Sequence, residues 1–207
     1  MKRTLLISCL LTLMLTAMMT AAQQKQGAQL STSQPTGKVA EIEAYATEID
    51  AFVKDNEKDV RIFGDTSSGT KLEEAKWHQY KDEKERQAAE TGDNLNSTAY
   101  VWMRDGKVVG ANFMFQSPSR DWMQYVMYYF RDDGTLAKVS STLNTFQGGI
   151  TVVRDDYYNS KGKFLKGTTH CQDLKTQLSK PCGDFQDQPA PLFQKVSQLP
   201  FYGWLKK

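Results

Sequence analysis

Few side chains in this sequence could carry out acid–base or nucleophilic chemistry, and they form no established catalytic motif. The chain has two histidines, His78 and His170. It contains no Gly-x-Ser-x-Gly elbow, no phosphate-binding glycine loop, no Gly-x-Gly-x-x-Gly fingerprint and no His-Glu-x-x-His pattern. Because hydrolytic triads and most metal sites need histidine, we expect neither a cofactor nor a metal site.

The best candidates for a carboxylate site are Asp155 and Asp156, which are followed by Tyr157 and Tyr158. Adjacent residues of a strand point to opposite faces of a sheet, so at most one of the two acids can enter a given groove. Paired-acid mechanisms need two carboxylates at a controlled separation. An enzyme that uses Asp156, Tyr158 or His78 in a pocket between helix and sheet is therefore the alternative function rather than the leading one.

The start of the chain has the pattern of an export signal. Lys2 and Arg3 precede an apolar run at residues 5–19, and small residues end at Ala22, where we expect cleavage. About 15 apolar residues are too few for the roughly 20 that span a hydrocarbon core, so we expect no transmembrane anchor after cleavage. Leu6-Ile7-Ser8-Cys9 resembles a lipoprotein cleavage box. Almost no apolar core precedes it, so lipidation at Cys9 is not the interpretation that we favour. We predict an exported protein, periplasmic or extracellular, and the style of the signal favours a bacterial one.

Two of the three cysteines, Cys171 and Cys182, follow the predicted signal peptide. An even pair in an exported chain predicts a disulfide bond. It would close a loop of about a dozen residues and contribute on the order of 3 kcal/mol to stability. A zinc site at this position would need further ligands, and only His170 is adjacent.

The charge balance argues against a nucleic acid as the partner. Without residues 1–22 the chain has 24 basic and 24 acidic residues, and nucleic-acid binding is carried by an excess of lysine and arginine. The composition, with 40% hydrophobic residues, 14 Gly and 6 Pro, is that of a globular protein. We predict a signal peptide at 1–22, a flexible leader at 23–37 and a single α+β domain at 38–207.

Several segments of that domain have a clear periodicity. From Lys38 to Lys54 apolar residues recur every three or four positions, which predicts an amphipathic helix that packs on a sheet. Residues 60–63 are a short strand candidate, and the charged segment 71–90 is typical of an exposed helix. Between Thr98 and Lys166, turn dipeptides such as Asp105-Gly106 alternate with β-forming runs, which predicts a twisted antiparallel meander of about six strands. A C-terminal extension follows, with a short helix at residues 192–199 and an aromatic tail that should dock on the sheet.

A two-residue turn at Asp105-Gly106 pairs Arg104 with Lys107 and so assigns each strand residue to a face. The face that we expect the helix to cover contains Tyr100, Trp102, Val109, Ala111, Phe113 and Phe115. The other face contains Val101, Met103, Val108, Gly110, Asn112 and Met114.

The next strand, residues 122–130, is apolar on both sides, so its second side must be covered or bind something. If the loop at Pro118 has four residues, Lys138, Ser140, Thr142 and Asn144 of the following strand border that side as polar neighbours. The candidate ligand-binding residues are then Met123, Tyr125, Met127, Tyr129, Asn112 and Met114. A shifted register would bring in Trp102 or Trp122 instead.

The leading hypothesis is an exported, non-enzymatic binding protein. Methionine adapts its shape and tyrosine combines an apolar ring with a polar tip, which suits an apolar small molecule or the surface of an envelope or extracellular protein. A structural or inhibitory protein without a pocket is the third hypothesis. In that case the C-terminal segment, with Phe193, Phe201, Tyr202 and Trp204, covers the Met/Tyr side as a second core.

Overall fold

The structure is a computed structural model, and the predicted signal peptide and the leader up to residue 36 lie outside the residues it describes. The described residues are 37–67, 74–90, 97–117, 119–185 and 190–206.

β-strand is the commonest regular structure of the described chain, which also contains three α-helices and three short 3-10 helices. The α-helices are α1 (Lys38–Asp55), α2 (Glu83–Glu90) and α3 (Tyr202–Leu205). The 3-10 helices are Glu57–Asp59, Gly183–Phe185 and Val196–Gln198. The strands are β1 (Arg61–Asp65), β2 (Trp77–Tyr80), β3 (Ser97–Arg104), β4 (Lys107–Gln116), β5 (Trp122–Phe130), β6 (Leu136–Thr145), β7 (Ile150–Tyr158) and β8 (Phe164–Asp173).

All eight strands form one antiparallel sheet in the order β2-β1-β3-β4-β5-β6-β7-β8. The predicted antiparallel architecture is confirmed, but the predicted number of about six strands is wrong. Strands β3 to β8 follow one another as the meander, and β1 and β2 extend the sheet beyond β3. Strand β2 was missed because its four residues lie inside the charged segment that was predicted to be helical; the helix α2 occupies only the end of that segment.

The turn between β3 and β4 forms as predicted, with positive φ angles of 51° at Asp105 and 75° at Gly106. A β-bulge follows at once, because Trp102 pairs with Gly110 whereas Met103 pairs with Val108. The bulge leaves one extra residue in β4 and exchanges the two faces beyond it. Consequently the predicted face assignment is wrong for β3 relative to β4: Tyr100 and Trp102 share a face with Gly110, Asn112 and Met114.

Helix α1 covers this face, which we call the helix face. Its buried residues Ile42, Ala46 and Ile49 recur at helical spacing and pack against the sheet. They contact a cluster that comprises Val109, Tyr129, Ala137 and Tyr157, with Met127 packed against it. Helix α2 lies on the same face and packs near β1, where Ala89 contacts the cluster of Ile62 and Tyr80. The helix therefore covers the Met/Tyr side rather than the Phe113 side that was expected.

The C-terminal segment covers the opposite face. Phe193, Leu199, Phe201 and Leu205 join the core cluster that contains Phe113. The rings of Phe201 and Phe63 stack with their centroids 4.2 Å apart. The aromatic tail docks on the sheet as predicted, but it does not cover the Met/Tyr side, and the predicted helix at residues 192–199 is a single 3-10 turn.

The predicted disulfide bond is confirmed, since Cys171 and Cys182 are joined with their Cα atoms 5.2 Å apart. It attaches the segment after β8 to the sheet. Phe185 and Cys182 pack there against Leu143 and Ile150, at the end of the opposite face.

Candidate functional site

The structure places all six predicted ligand-binding residues on the helix face. Met114 pairs with Tyr125, Asn112 with Met127, and Gly110 with Tyr129. The N–H of Ser117 donates to the carbonyl of Trp122, so these two residues continue the pairing of β4 with β5. The loop between this pair has four residues. The neighbours in β6 are those expected for a loop of this length: Lys138, Ser140, Thr142 and Asn144.

Helix α1 covers two of the six residues. Tyr129 is buried, and its hydroxyl donates a hydrogen bond of 2.9 Å to Asp50 of the helix. Met127 packs against the cluster under α1, and its Cε lies so close to Gly110 that a Cβ there would be 2.8 Å away. Burial raises the pKa of Tyr129 far above its ordinary value, and the nearby Asp50 carboxylate adds to the shift. These two side chains hold the helix on the sheet and are not free for a ligand.

The other four residues, Asn112, Met114, Met123 and Tyr125, form what we call the open Met/Tyr patch. Tyr125 is 39% exposed, and Met114 and Met123 are half-buried. The hydrophobic clusters of the described residues include none of these three side chains. The patch thus continues the helix face beyond the area that α1 covers.

Polar groups lie within the patch and along its border. The Asn112 side-chain oxygen is buried and has no hydrogen-bond partner within the described chain. An unpaired buried acceptor is unfavourable unless a ligand or water satisfies it. On the β6 side, Asn144 accepts a hydrogen bond of 2.9 Å from the Thr151 hydroxyl. Within the patch the Tyr125 hydroxyl lies 2.6 Å from the Met123 sulfur.

A charged cluster lies between α1 and the sheet, and no pattern in the sequence indicates it. The buried ammonium group of Lys138 lies 3.0 Å from a Glu43 oxygen and 3.3 Å from an Asp155 oxygen. It also lies 5.3 Å from the centre of the Tyr157 ring, and the Tyr157 hydroxyl donates to Glu43. Burial, followed by the hydrogen bond to Glu43, raises the pKa of Tyr157 well above its ordinary value. Lys138 was predicted only as a polar neighbour, because no sequence signal shows where the helix crosses the sheet.

Two of the three residues of the alternative enzyme hypothesis share a cleft, and the third, His78, lies far from it. Asp155 and Asp156 lie on opposite faces, as the alternation of strand residues predicts. Asp156 and Tyr158 line a cleft of about 160 Å³ on the opposite face, beside Pro191 of the C-terminal segment. His78 is exposed on the helix face of β2, and five strands separate β2 from β7. The structure therefore supplies no histidine to Asp156 from this position.

The Asp156 carboxylate has two different environments. One oxygen accepts a hydrogen bond of 2.9 Å from Arg154, and the other is buried without a hydrogen-bond partner among the described residues. The second oxygen rests on Gly167 of β8, where a Cβ would lie 2.7 Å away. The glycine thus makes room for the acid. This arrangement is a surface ion pair extended by one poorly satisfied oxygen.

The tryptophans that a shifted register would have brought in are not part of the patch. Trp102 is buried on the helix face, in the same layer as Tyr100. Trp122 is 37% exposed on the opposite face, where it lines a separate cleft with Leu143 and Phe185.

Comparisons with protein-family models, with curated proteins and with solved structures give no match to this chain. Within the described ranges, no helix is long and apolar enough to cross a membrane. In the same part of the chain, no group of three or more His, Cys, Asp and Glu side chains could hold a metal ion.

Proposed function

We propose that this chain is an exported, non-enzymatic binding protein that holds an apolar small molecule or an apolar segment of a partner protein on the open Met/Tyr patch. The observation that carries the proposal is that α1 covers only part of the helix face. α1 buries Tyr129 and Met127 but leaves Tyr125 and its neighbouring methionines outside every hydrophobic cluster of the described residues.

The chemistry of the patch supports an adaptable apolar contact with one fixed polar contact. The unbranched thioethers of Met114 and Met123 can change rotamer to fit different shapes. The ring of Tyr125 offers apolar area, while the buried and unpaired Asn112 oxygen can accept from a donor group of the ligand once the methionine side chains change rotamer.

Export is supported by the apolar run at residues 5–19 and by the disulfide bond, because such bonds persist in oxidising compartments. The periplasm or the exterior of a bacterium is the location that this proposal assigns.

The test for a small molecule compares native with denaturing mass spectra of the protein purified from the exported fraction. We expect an extra mass in the native spectrum that is absent from the denaturing one. The double variant Met123→Gln/Tyr125→Ser should lose this mass, whereas Trp204→Ser, which changes a side chain that is 42% exposed on α3, should retain it.

The test for a partner protein places a photo-crosslinking amino acid at position 125, with position 204 as the control. A discrete cross-linked band that forms from Tyr125 but not from Trp204 supports the proposal. A clean mass for the wild-type protein together with no cross-link from position 125 contradicts it for both kinds of ligand.

One observation favours the second candidate, a carboxylate enzyme: the buried and unpaired oxygen of Asp156 in a cleft beside Tyr158. Asp156→Asn and Tyr158→Phe separate the two functions. Our proposal expects both variants to bind the ligand of the patch as the wild type does, because Asp156 and Tyr158 lie on the other side of the sheet. Loss of a catalysed turnover with retained folding would instead support the enzyme.

A further inference from the structure

Strand β8 is the most solvent-exposed of the long strands of the sheet. Every residue from Phe164 to His170 is exposed, so neither face of this stretch is covered by a described element. Phe164 is 50% exposed and Leu165 36% exposed. The strand is also at the edge of the sheet: β7 is its one neighbouring strand among the described residues, and on the outer side only its last residues are covered, by a bridge from Gln172 to Ser179.

The backbone of this stretch has free hydrogen-bonding groups on its outer side. The carbonyl of Cys171 accepts from Lys180 and the N–H of Asp173 donates to Leu178, so these groups point away from β7. Because the direction alternates along a strand, the N–H and carbonyl of Gly167 and Thr169 also point outward. No hydrogen bond from these outward groups occurs within the described chain. An exposed edge of this kind is a template for a further strand.

We propose that β8 pairs antiparallel with β8 of a second copy of this chain, about a two-fold axis at Gly167. The pairing joins the two eight-stranded sheets edge to edge. It satisfies the outward groups of Gly167 and Thr169, and it removes the exposed edge from both copies.

The charges of the edge fit a second copy in this register. Lys166 is the one residue with a fixed charge between Phe164 and His170, and two-fold symmetry places it opposite Thr168 of the second copy. No lysine opposes a lysine, and like charges directly opposite each other would be unfavourable. Gly167 at the axis lets the two backbones approach closely.

The opposite edge of the sheet favours a closed dimer over a filament. Strand β2 has only four residues, whereas β8 has ten. A head-to-tail contact of β8 with β2 would leave most of the outer side of β8 unpaired. The isologous contact of β8 with itself pairs the exposed stretch from its centre at Gly167 outward to the β-bulge at Leu165 of each copy.

The first experiment measures the mass of the full-chain exported protein in solution by light scattering, at micromolar and near-millimolar concentrations. We expect twice the chain mass. Thr169→Pro removes only an outward N–H and should reduce the mass to that of one chain, because proline is tolerated on an edge strand but cannot donate. The control Thr169→Val keeps the N–H and should remain a dimer, and circular dichroism confirms that both variants fold.

The second experiment tests the register with two variants that each add one cysteine to the native Cys171–Cys182 pair, Lys166→Cys and Thr168→Cys. In the proposed register these positions form a pair that is not hydrogen-bonded, with Cα atoms about 4.5 Å apart, which a disulfide can bridge. Mixing the two variants under oxidising conditions should give a cross-linked dimer. Each variant alone should give little, because each cysteine is then offset from its symmetry mate.

A single-chain mass at the highest concentration overturns the proposal, and so does a Thr169→Pro variant that is as dimeric as the wild type. Amide hydrogen exchange tests whether a segment of the same chain covers the edge instead. Protection of the Gly167 and Thr169 amides in a single-chain species would show such a cover and would also overturn the proposed dimer. The outcome is independent of the open Met/Tyr patch, because none of the four variants changes a residue of the patch.

Discussion

Lys138 is a cation that the fold keeps beneath a helix, with only 10% of its side chain exposed. The cost of removing an ammonium group from water is offset here by the carboxylates of Glu43 and Asp155 and by the rings of Tyr129 and Tyr157. The cluster joins α1, β5, β6 and β7 at one point. We infer that its role is to fix where α1 crosses the sheet, and thereby how much of the helix face stays open.

Lys138→Met should therefore destabilise the protein. The change leaves the carboxylates of Glu43 and Asp155 near each other without their cation. Breaking a buried ion pair costs about 3–5 kcal/mol, and we expect about 3 kcal/mol here because Glu43 is partly exposed. Urea unfolding measures the difference. Lys107→Met, at the exposed first residue of β4, should change the free energy of unfolding by less than about 0.5 kcal/mol. Equal losses in the two variants would show that the cluster does not stabilise the fold.

Gly148 offers a second test at the scale of one residue. A Cβ at this position would lie 2.6 Å from the Phe185 ring and 2.9 Å from Ile150. Gly148→Ala should cost about 1–3 kcal/mol through overpacking, because the disulfide-anchored segment limits how far Phe185 can move. Gly203→Ala in α3 meets no atom within 4 Å and should be neutral or stabilising by up to about 1 kcal/mol. Thermal unfolding of the two variants compares them, and a stable Gly148→Ala variant would mean that Phe185 is mobile.

At the scale of elements, the C-terminal segment is a cover for the core rather than a tail. The Phe201 ring stacks on Phe63 and also lies within 5.6 Å of the Phe113 ring centre. Phe201→Ala should cost about 3–5 kcal/mol, as large aromatic truncations in a core do. Trp204→Ala, only three residues further along the chain, should cost far less because Trp204 is 42% exposed. Similar losses, measured by urea unfolding, would contradict the assignment of this segment to the core.

The sequence predicted those elements whose signals are local. The helix from Lys38, the hairpin at Asp105-Gly106 and the disulfide all follow from spacing or turn chemistry. The four-residue loop was enough to place Met123 and Tyr125 beside Met114. The sequence alone did not fix the length of that loop, so the register of β5 followed only on the condition that the loop has four residues.

What could not be predicted depends on contacts between distant segments. The bulge opposite Trp102 exchanges the two faces, and no turn signal marks it. The choice of face for α1 and for the C-terminal segment depends on total burial, since both sides of β4 and β5 are apolar. For that reason the sequence assigned α1 to the wrong face, and it left open whether the C-terminal segment covers the Met/Tyr side.

At the scale of the whole described chain, one sheet is covered on one face by α1 and α2 and on the other by the C-terminal segment, and both layers use tyrosine. Tyr129 and Tyr157 lie under α1, and the Tyr128 hydroxyl donates to the carbonyl of Pro191 in the C-terminal segment. Tyrosine supplies apolar area together with one hydrogen bond, so it joins the layers without leaving a buried donor unpaired. This construction makes the fold sensitive to the protonation state of its phenols.

The protein should consequently lose stability in alkali. Burial raises the pKa of six of the nine tyrosines above their ordinary value, namely Tyr45, Tyr80, Tyr128, Tyr129, Tyr157 and Tyr158. A group whose pKa is higher in the folded than in the unfolded chain contributes its full stability below the unfolded pKa, about 10 for tyrosine, and loses it as the pH rises. We expect a melting temperature that is steady from neutral pH to about pH 9 and falls steeply above about pH 10.

Tyrosinate absorbance near 295 nm measures the same linkage directly. In the folded protein most of the absorbance change should coincide with unfolding rather than occur near pH 10, whereas in urea all nine tyrosines should titrate together near their ordinary pKa. Tyr129→Phe keeps the ring but removes the hydroxyl that bonds to Asp50, so it should lower stability at neutral pH and reduce the loss in alkali. A titration of the folded protein that matches the one in urea would mean that solvent reaches the phenols, and that α1 does not stay closed over the helix face in solution.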